Sequence, residues 1–287
     1  MKNNVKIHGH QGRLMSLGYF RMMPHRDLKM AGSFFLLDHF PEQELTAVSN
    51  SAGSNIGAHP HRGITTVTYV ISGENEHRDS LGNHAVVHSG GVQWMKAGHG
   101  IVHDEGPTEA FLATGGTVHM MQFWLVLNSK EREDAPEYYP LLNESIQEKT
   151  IDDNGSKLRV LIGKYCCLGS DVPYKKEQFL YHLRLEAKGE FYYTLPASTE
   201  VAVFMAKGNI LVNEEALQQS SLMAFDEEGK TLHLQNQNNE TVDVMLFGGE
   251  PFGESIFSQG PFVMGDARGM EKANEDYFAG KYGTVKY

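Results

Sequence analysis

Two short spacings in this sequence carry metal-ligand chemistry. Ala58-His59-Pro60-His61-Arg62-Gly63 holds an H-x-H pair, and His103-Asp104-Glu105 an H-x-E pair. Along a β-strand, residues i and i+2 point to one face, so each pair can present two donors to the same interior. Were both strands to line one small barrel, three imidazoles and one carboxylate would converge. Three neutral nitrogens and one hard oxygen suit Fe, Mn, Co, Ni, Cu or Zn. Of the 14 histidines, His59, His61, His77, His84, His88, His99, His103 and His119 lie within residues 59–119. Even spacing would put roughly three there. His77, His84, His88 and His99 flank turns and read as surface residues or as supports behind the ligands. His119 opens an apolar strand.

The elements that must position these pairs read as strands. Thr66–Ile71, Thr117–Leu127, Phe179–Leu185, Val201–Met205, Ile210–Val212 and Val242–Phe247 are short, rich in β-branched and aromatic residues, and bordered by turn formers. Pro60 cannot donate a ladder hydrogen bond, which restricts its strand to a sheet edge or a strand start. Asp79-Ser80-Leu81-Gly82-Asn83 supplies the glycine of a tight hairpin. An all-β chain of antiparallel sandwiches or barrels is expected. Helical patterns interrupt it at Glu214–Gln219, capped by Asn213, and at Asp266–Gly280. The second presents Met270, Ala273, Tyr277 and Phe278 on one face and is expected to close the second domain. Lys130–Pro140 (KEREDAPEYYP) is charged, carries prolines and lacks apolar periodicity, so it reads as a linker. Domains over 1–135 and 136–287 follow. Val67–Gly73 (VTYVISG) echoes Val201–Gly208 (VAVFMAKG), which suggests a duplicated β-domain.

The chain has 287 residues and a formal charge of −11, from 25 basic and 36 acidic side chains. That length suits one large or two ordinary domains. With 40% hydrophobic and 21% charged residues it can fill a core and is not a disordered chain. Net acidity repels phosphate backbones and anionic lipid, so neither direct nucleic-acid binding nor membrane binding is expected. Cys166 and Cys167 are adjacent and cannot staple a fold; they read as core or strand-end residues. Met1–Ser16 lacks the apolar segment of a signal peptide, and no run approaches the roughly 18 apolar residues of a membrane span. A soluble, cytoplasmic, monomeric protein is the expectation.

His59-Pro-His-Arg-Gly63, Val67-Thr-Tyr-Val70, His77-Arg-Asp-Ser-Leu-Gly82-Asn83-His84, Val92-Gln-Trp-Met95 and Ala97-Gly-His-Gly-Ile-Val-His103-Asp-Glu105 follow in order. Gln122-Phe-Trp-Leu125, Gly248-Gly-Glu-Pro251 and Gly260-Pro-Phe-Val-Met264 extend the series across nearly the whole chain. This set resembles the pirin family of bicupins. The resemblance implies two stacked antiparallel β-barrels of the double-stranded β-helix (jelly-roll) type, a short C-terminal helix, and one metal in the N-terminal barrel. It puts the ligands at His59, His61, His103 and Glu105, the residues that strand geometry singles out. Family members hold iron in many cases, so Fe(II) is the expected ion, with Mn, Co, Ni, Cu or Zn as alternatives. Several resemble quercetin 2,3-dioxygenase in activity, and the vertebrate branch is described as a redox-sensitive transcriptional coregulator. The chain departs from the family pattern in places. Thr65 stands where the family often has Glu, Ser89-Gly-Gly91 where Pro-Gly-Asp is common, and His99 where Arg or a small residue is usual. No ligand is lost, but Thr65 removes a carboxylate that could have pointed inward.

An octahedral ion with four protein ligands keeps two open positions, enough for a flavonol and dioxygen. The expected activity is ring cleavage of flavonols such as quercetin, with Glu105 taking up the hydroxyl proton. Trp94, Met95, Met121 and Phe123 are the candidate apolar walls. A rival expectation is a non-enzymatic metal and redox sensor that acts through a protein partner. The second half carries no matching pairs: Pro196–Glu200 (PASTE) has no histidine, and His233 is isolated. A structural or regulatory domain is expected there.

Overall fold

The apolar runs bounded by turn residues fold as strands in a computed structural model that describes residues 5–14, 17–47, 57–174, 178–225 and 231–287. In the first half these are β1 (Val5–His8), β2 (His10–Leu14), β3 (Leu17–Met23), β4 (Phe34–Leu45), β5 (His59–His61), β6 (Ile64–Ser72), β7 (Glu74–Asp79), β8 (His84–His88), β9 (Val92–Lys96), β10 (Ile101–Gly106), β11 (Gly116–Val126) and β12 (Glu137–Leu141). Next come β13 (Glu148–Thr150), β14 (Lys157–Ile162), β15 (Lys164–Tyr165), β16 (Leu168–Gly169), β17 (Phe179–Leu185), β18 (Glu190–Thr194) and β19 (Glu200–Lys207). The last are β20 (Asn209–Val212), β21 (Glu215–Gln218), β22 (Ser221–Phe225), β23 (Thr231–Gln235), β24 (Val242–Gly249), β25 (Phe257–Gln259) and β26 (Phe262–Met264). The helices are α1 (Glu109–Thr114) and α2 (Ala267–Phe278). No helix among the described residues is long and apolar enough to cross a membrane.

The larger sheets come in two pairs of matching order. One pair runs β12-β9-β6-β11-β4-β3-β2 and β5-β10-β7-β8; the other runs β1-β22-β19-β24-β17-β14-β13 and β18-β23-β20-β21. Position by position, β6 corresponds to β19 and β10 to β23. The sequence echo between Val67–Gly73 and Val201–Gly208 is therefore the trace of a repeated strand order.

The chain divides into two compact units, and neither is consecutive. The histidine unit comprises Arg13–Tyr19, Glu42–Asn143 and Phe252–Tyr287; the second comprises Met1–Gly12, Phe20–Pro41 and Glu144–Pro251. Segments thus cross the expected 135/136 boundary in both directions. α2 begins as expected, with the Asp266 carboxylate accepting from the Gly269 N–H at 2.7 Å. Its Met270 and Ala273 pack with Val102, Phe262, Met264 and Tyr282, so it closes the histidine unit and not the second. Phe278 is 82% exposed and lies off that packed face.

Other expectations are corrected by turn and edge chemistry. Glu214–Gln219 is not a helix: Asn213 and Glu214 hold φ of +48° and +70° in a two-residue turn that joins β20 to β21. Asn tolerates that left-handed backbone, and a hairpin demands it. Lys130–Pro140 is not a linker either. Its C-terminal part is β12, outermost in its sheet, the position where a strand tolerates Pro140. Cys166 and Cys167 are exposed at the turn between β15 and β16. The hairpin at Asp79–Asn83 forms as expected, joining β7 to β8 with Gly82 at φ +89°.

Gly63 closes the turn after β5 at φ +78°, and a Cβ there would sit 2.0 Å from the Val263 carbonyl oxygen. Gly63→Ala should destabilise the protein by more than about 1 kcal/mol, because both backbone conformation and space forbid the methyl. The urea midpoint should fall at unchanged m-value. A wild-type midpoint would mean that this turn can shift freely.

Candidate metal centre

β5 is the edge strand that Pro60 requires, and it pairs antiparallel with β10 so that His59 lies opposite His103 and His61 opposite Ile101. Period two then puts His59, His61, His103 and Glu105 on one face. His61, His103 and Glu105 are buried, and His59 is partly exposed. One ring nitrogen from each of the three histidines lies within 4.8 Å of the other two.

Each ring is anchored from behind. His59 Nδ1 lies 2.9 Å from the Gly57 carbonyl oxygen, and His61 Nδ1 lies 3.1 Å from that of Pro261. His103 Nδ1 lies 3.4 Å from Nδ1 of His77. His103 Nε2 is buried and has no hydrogen-bond partner among the described residues. A bare interior nitrogen costs about 1–3 kcal/mol unless something takes its lone pair. The three-imidazole cluster and this orphaned nitrogen fit a divalent transition ion. Burial, together with the neighbouring His59, pushes the His61 pKa down to about 3. Burial, with His61, His59 and His77 around it, holds His103 well below the usual histidine range. Both rings are neutral at neutral pH, the form that binds metal.

Glu105 faces the same space but stands outside the three-imidazole cluster. Its Oε1 accepts from the Gln122 amide, and its Oε2 from Thr68 Oγ1 at 3.3 Å and Asn75 Nδ2 at 3.4 Å. Gln122 is oriented by the Trp124 indole N–H, which donates to Gln122 Oε1 at 3.2 Å. Asn75 is oriented by Gln93 through bonds of 2.7 and 2.8 Å. The Trp124 ring meets His61 edge-on, 5.0 Å between centroids.

Sequence reasoning missed these supports, although a signal exists. Gln93, Thr68 and Gln122 are direct cross-strand neighbours in β9, β6 and β11, a polar row across apolar strands. Register also corrects the expected walls. Thr66, Met95 and Trp124 share the face of Thr68, whereas Trp94, Met121 and Phe123 share the opposite face with Val67. Runs that are apolar on both faces carry no mark of which side holds the site. Thr65 also lies on the opposite face, so its departure from the family pattern leaves the donor set untouched. Among the remaining histidines, His84 and His88 are exposed beside Glu76 and Glu74, His99 is exposed, and His119 is buried. His77 is buried behind His103.

In the second unit, the strands corresponding to β5 and β10 are β18 and β23. Their inward residues are Phe191, Tyr193, Leu232 and Leu234, all part of one apolar core. His233 lies on the other face, stacked on Tyr192 at 4.1 Å and 2.8 Å from Glu190 Oε2.

The family model described as Pirin matches residues 16–125, and the one described as Pirin C-terminal cupin domain matches residues 180–283. A Pseudomonas aeruginosa protein provisionally named a quercetin 2,3-dioxygenase is 33% identical over 249 residues, covering 87% of this chain and 86% of that protein. A crystal structure of quercetin 2,3-dioxygenase from Acinetobacter baumannii superposes with a TM-score of 0.91 at 26% identity, covering 100% of both chains. A bacterial pirin from Escherichia coli, solved in complex with nickel(II), shares the fold with a TM-score of 0.66 at 18% identity, over 86% of this chain and 99% of that one. Two β domains of repeated strand order, one with a histidine cup, define a bicupin. The chain belongs to the pirin family.

His61→Ala and His103→Ala should each weaken metal binding by at least the roughly 10- to 100-fold typical of losing even an outer partner. His233→Ala should leave metal content unchanged. Metal analysis of the three purified variants checks this; full stoichiometry in the first two would remove the assignment.

The depressed histidine pKa values also set a pH dependence. The unfolded chain takes up protons at these histidines near pH 6.5, whereas folded His61 resists them down to about pH 3. Metal-free protein should therefore hold its full stability above pH 6.5 and lose it as pH falls towards 3. Thermal midpoints across that window test the burial. A flat profile would contradict it.

Proposed function

We propose that this protein is a metal-dependent oxygenase that cleaves flavonols such as quercetin. His59, His61, His103 and Glu105 would hold one divalent transition ion, with Fe(II) the expected one. The observation that carries this reading is the cup itself: three clustered imidazoles, one with a bare buried nitrogen, beside a buried carboxylate. Support comes from the full-length likeness to a quercetin 2,3-dioxygenase at 26% identity, which weighs towards catalysis over the sensor reading. The nickel(II) complex of the related bacterial pirin supports a divalent ion. When bound, the ion would supply Lewis acidity towards an enolic hydroxyl and a redox partner for dioxygen.

The chain's own residues have separate tasks in this reading. The indole of Trp124, beside His61, offers a flat apolar surface for a planar ring system. Glu105 accepts the flavonol hydroxyl proton. Its two donors to Oε2 are long, at 3.3 and 3.4 Å, which leaves acceptor capacity on that oxygen. Gln122 keeps the carboxylate aimed, because Trp124 holds its amide from the other side. Thr66 and Met95 are buried on the same face and help exclude water.

Quercetin loss followed in air and under nitrogen, after loading with Fe(II), Mn(II), Co(II), Ni(II) or Cu(II), tests the proposal. Oxygen-dependent loss with at least one ion is expected; none with any ion would end the catalytic reading. Glu105→Gln should keep most of its metal while turnover drops by roughly 10²–10⁴, the usual range for losing a general base. Full activity in that variant would leave the reaction but remove Glu105 as its base.

A further inference from the structure

The hairpin after β7 does more than reverse the chain. Asp79 is fully buried, and its carboxylate is fixed from several sides: Oδ1 accepts the backbone N–H groups of Leu81 at 2.9 Å and Asn83 at 3.0 Å. Oδ2 accepts Asn83 Nδ2 at 2.8 Å and faces His77 Nε2 at 3.2 Å. Beyond His77 lies His103, with the two Nδ1 atoms 3.4 Å apart. The His77 ring is held flat against Tyr138, 4.0 Å between centroids and 4° between planes.

We propose that Asp79 and His77 are positioning residues for the metal, and that the chain Asp79–His77–His103 fixes which nitrogen of His103 faces the ion. The proposal rests on the metal reading above. Its logic is proton accounting along the chain. An ionised carboxylate can only accept, so His77 Nε2 must carry the hydrogen. With that single proton on its ring, His77 has its lone pair on Nδ1, so His103 Nδ1 must carry the next hydrogen. That leaves the lone pair of His103 on Nε2, the buried atom with no partner among the described residues. The opposite arrangement would turn an N–H into the cup with nothing to accept it. Tyr138 prevents the His77 ring from turning out of line, so β12 also serves the site from behind.

The test measures Co(II) and Ni(II) affinity by chelator competition, together with the Co(II) absorption spectrum, on full-length protein. His77→Phe keeps a ring against Tyr138 but offers His103 no acceptor. It should bind both ions about 10- to 100-fold more weakly and shift the Co(II) bands. His77→Gln can accept through its side-chain oxygen and should recover most of the affinity. Asp79→Asn should also weaken binding: its oxygen is claimed by Leu81 and Asn83, so its NH₂ faces His77 and reverses the tautomers. Wild-type affinity and spectrum in His77→Phe would overturn the proposal, as would equal losses in folded Phe and Gln variants. If His77→Phe fails to fold, unchanged affinity in Asp79→Asn overturns it instead. Wild-type protein that binds neither ion would overturn the metal reading itself, and the positioning role with it.

Discussion

Three imidazoles can share one ion only if each is uncharged and each turns an unprotonated ring nitrogen inward. For His61 and His103 burial secures the first condition and makes the second strict, since each buried ring must then find an acceptor for its other N–H. Those acceptors cannot come from β5 and β10 alone. The Gly57 carbonyl precedes β5, the Pro261 carbonyl belongs to the C-terminal segment, and His77 sits on β7. A site of a few residues thereby dictates the assembly of a whole unit. It accounts for why Phe252–Tyr287 groups with the histidines and not with the strands that precede it in sequence.

The second unit shows what the same strand order does without that constraint. Its matching sheets bury Phe191, Tyr193, Leu232 and Leu234 where the histidine unit buries donors. Apolar side chains pack against one another without directional demands, so the interior fills and no acceptor need stand behind it. The polar row Gln93–Thr68–Gln122 has its counterpart in apolar residues for the same reason: Met223, Val203 and Leu246 are cross-strand neighbours in β22, β19 and β24. The two units are frames of one strand order. Only one carries the donors.

The shared face of the H-x-H and H-x-E pairs was legible in the sequence because strand period two is a local rule, obeyed within three residues. The Asp79–Asn83 hairpin and the Asp266 cap were legible for the same reason. What could not be read is whatever depends on register or on distant pairing. Pro261 serves His61 across 200 positions of sequence. Lys130–Pro140 lacks periodicity because it joins a single tight helical turn at Glu131–Glu133 to the short edge strand β12, which tolerates proline; nothing local told it from a linker. Trp94, Met121 and Phe123 were indistinguishable from Met95 and Trp124 until pairing put them on opposite faces of one sheet. The Asn213 turn was misread because Asn caps helices and enters left-handed turns with similar ease.

The alternation that gathers donors inward also hands the outer face of the ligand strands to the C-terminal segment. Val102 packs with Met270 and Ala273, and Asp104 accepts from the Tyr287 hydroxyl at 2.7 Å. Arg62, next to His61 and 1% exposed, would otherwise leave a buried positive charge close to a cation site. At interior dielectric such a charge would oppose a divalent ion by an amount on the order of kcal/mol. Asp276 lies 2.7 Å from Arg62 Nη1, and Glu133 lies 3.3 Å from Nη2. Lys272, Lys281 and Arg62 hold Asp276 far below the usual carboxylate range, so it stays ionised. The two lysines are largely exposed and their charge is screened by water. The C-terminal segment therefore does two things to one strand: Pro261 sets the tautomer of His61, and Asp276 cancels the charge of the residue that follows it. A cation site beside a buried arginine is tenable because both corrections come from the same stretch of chain.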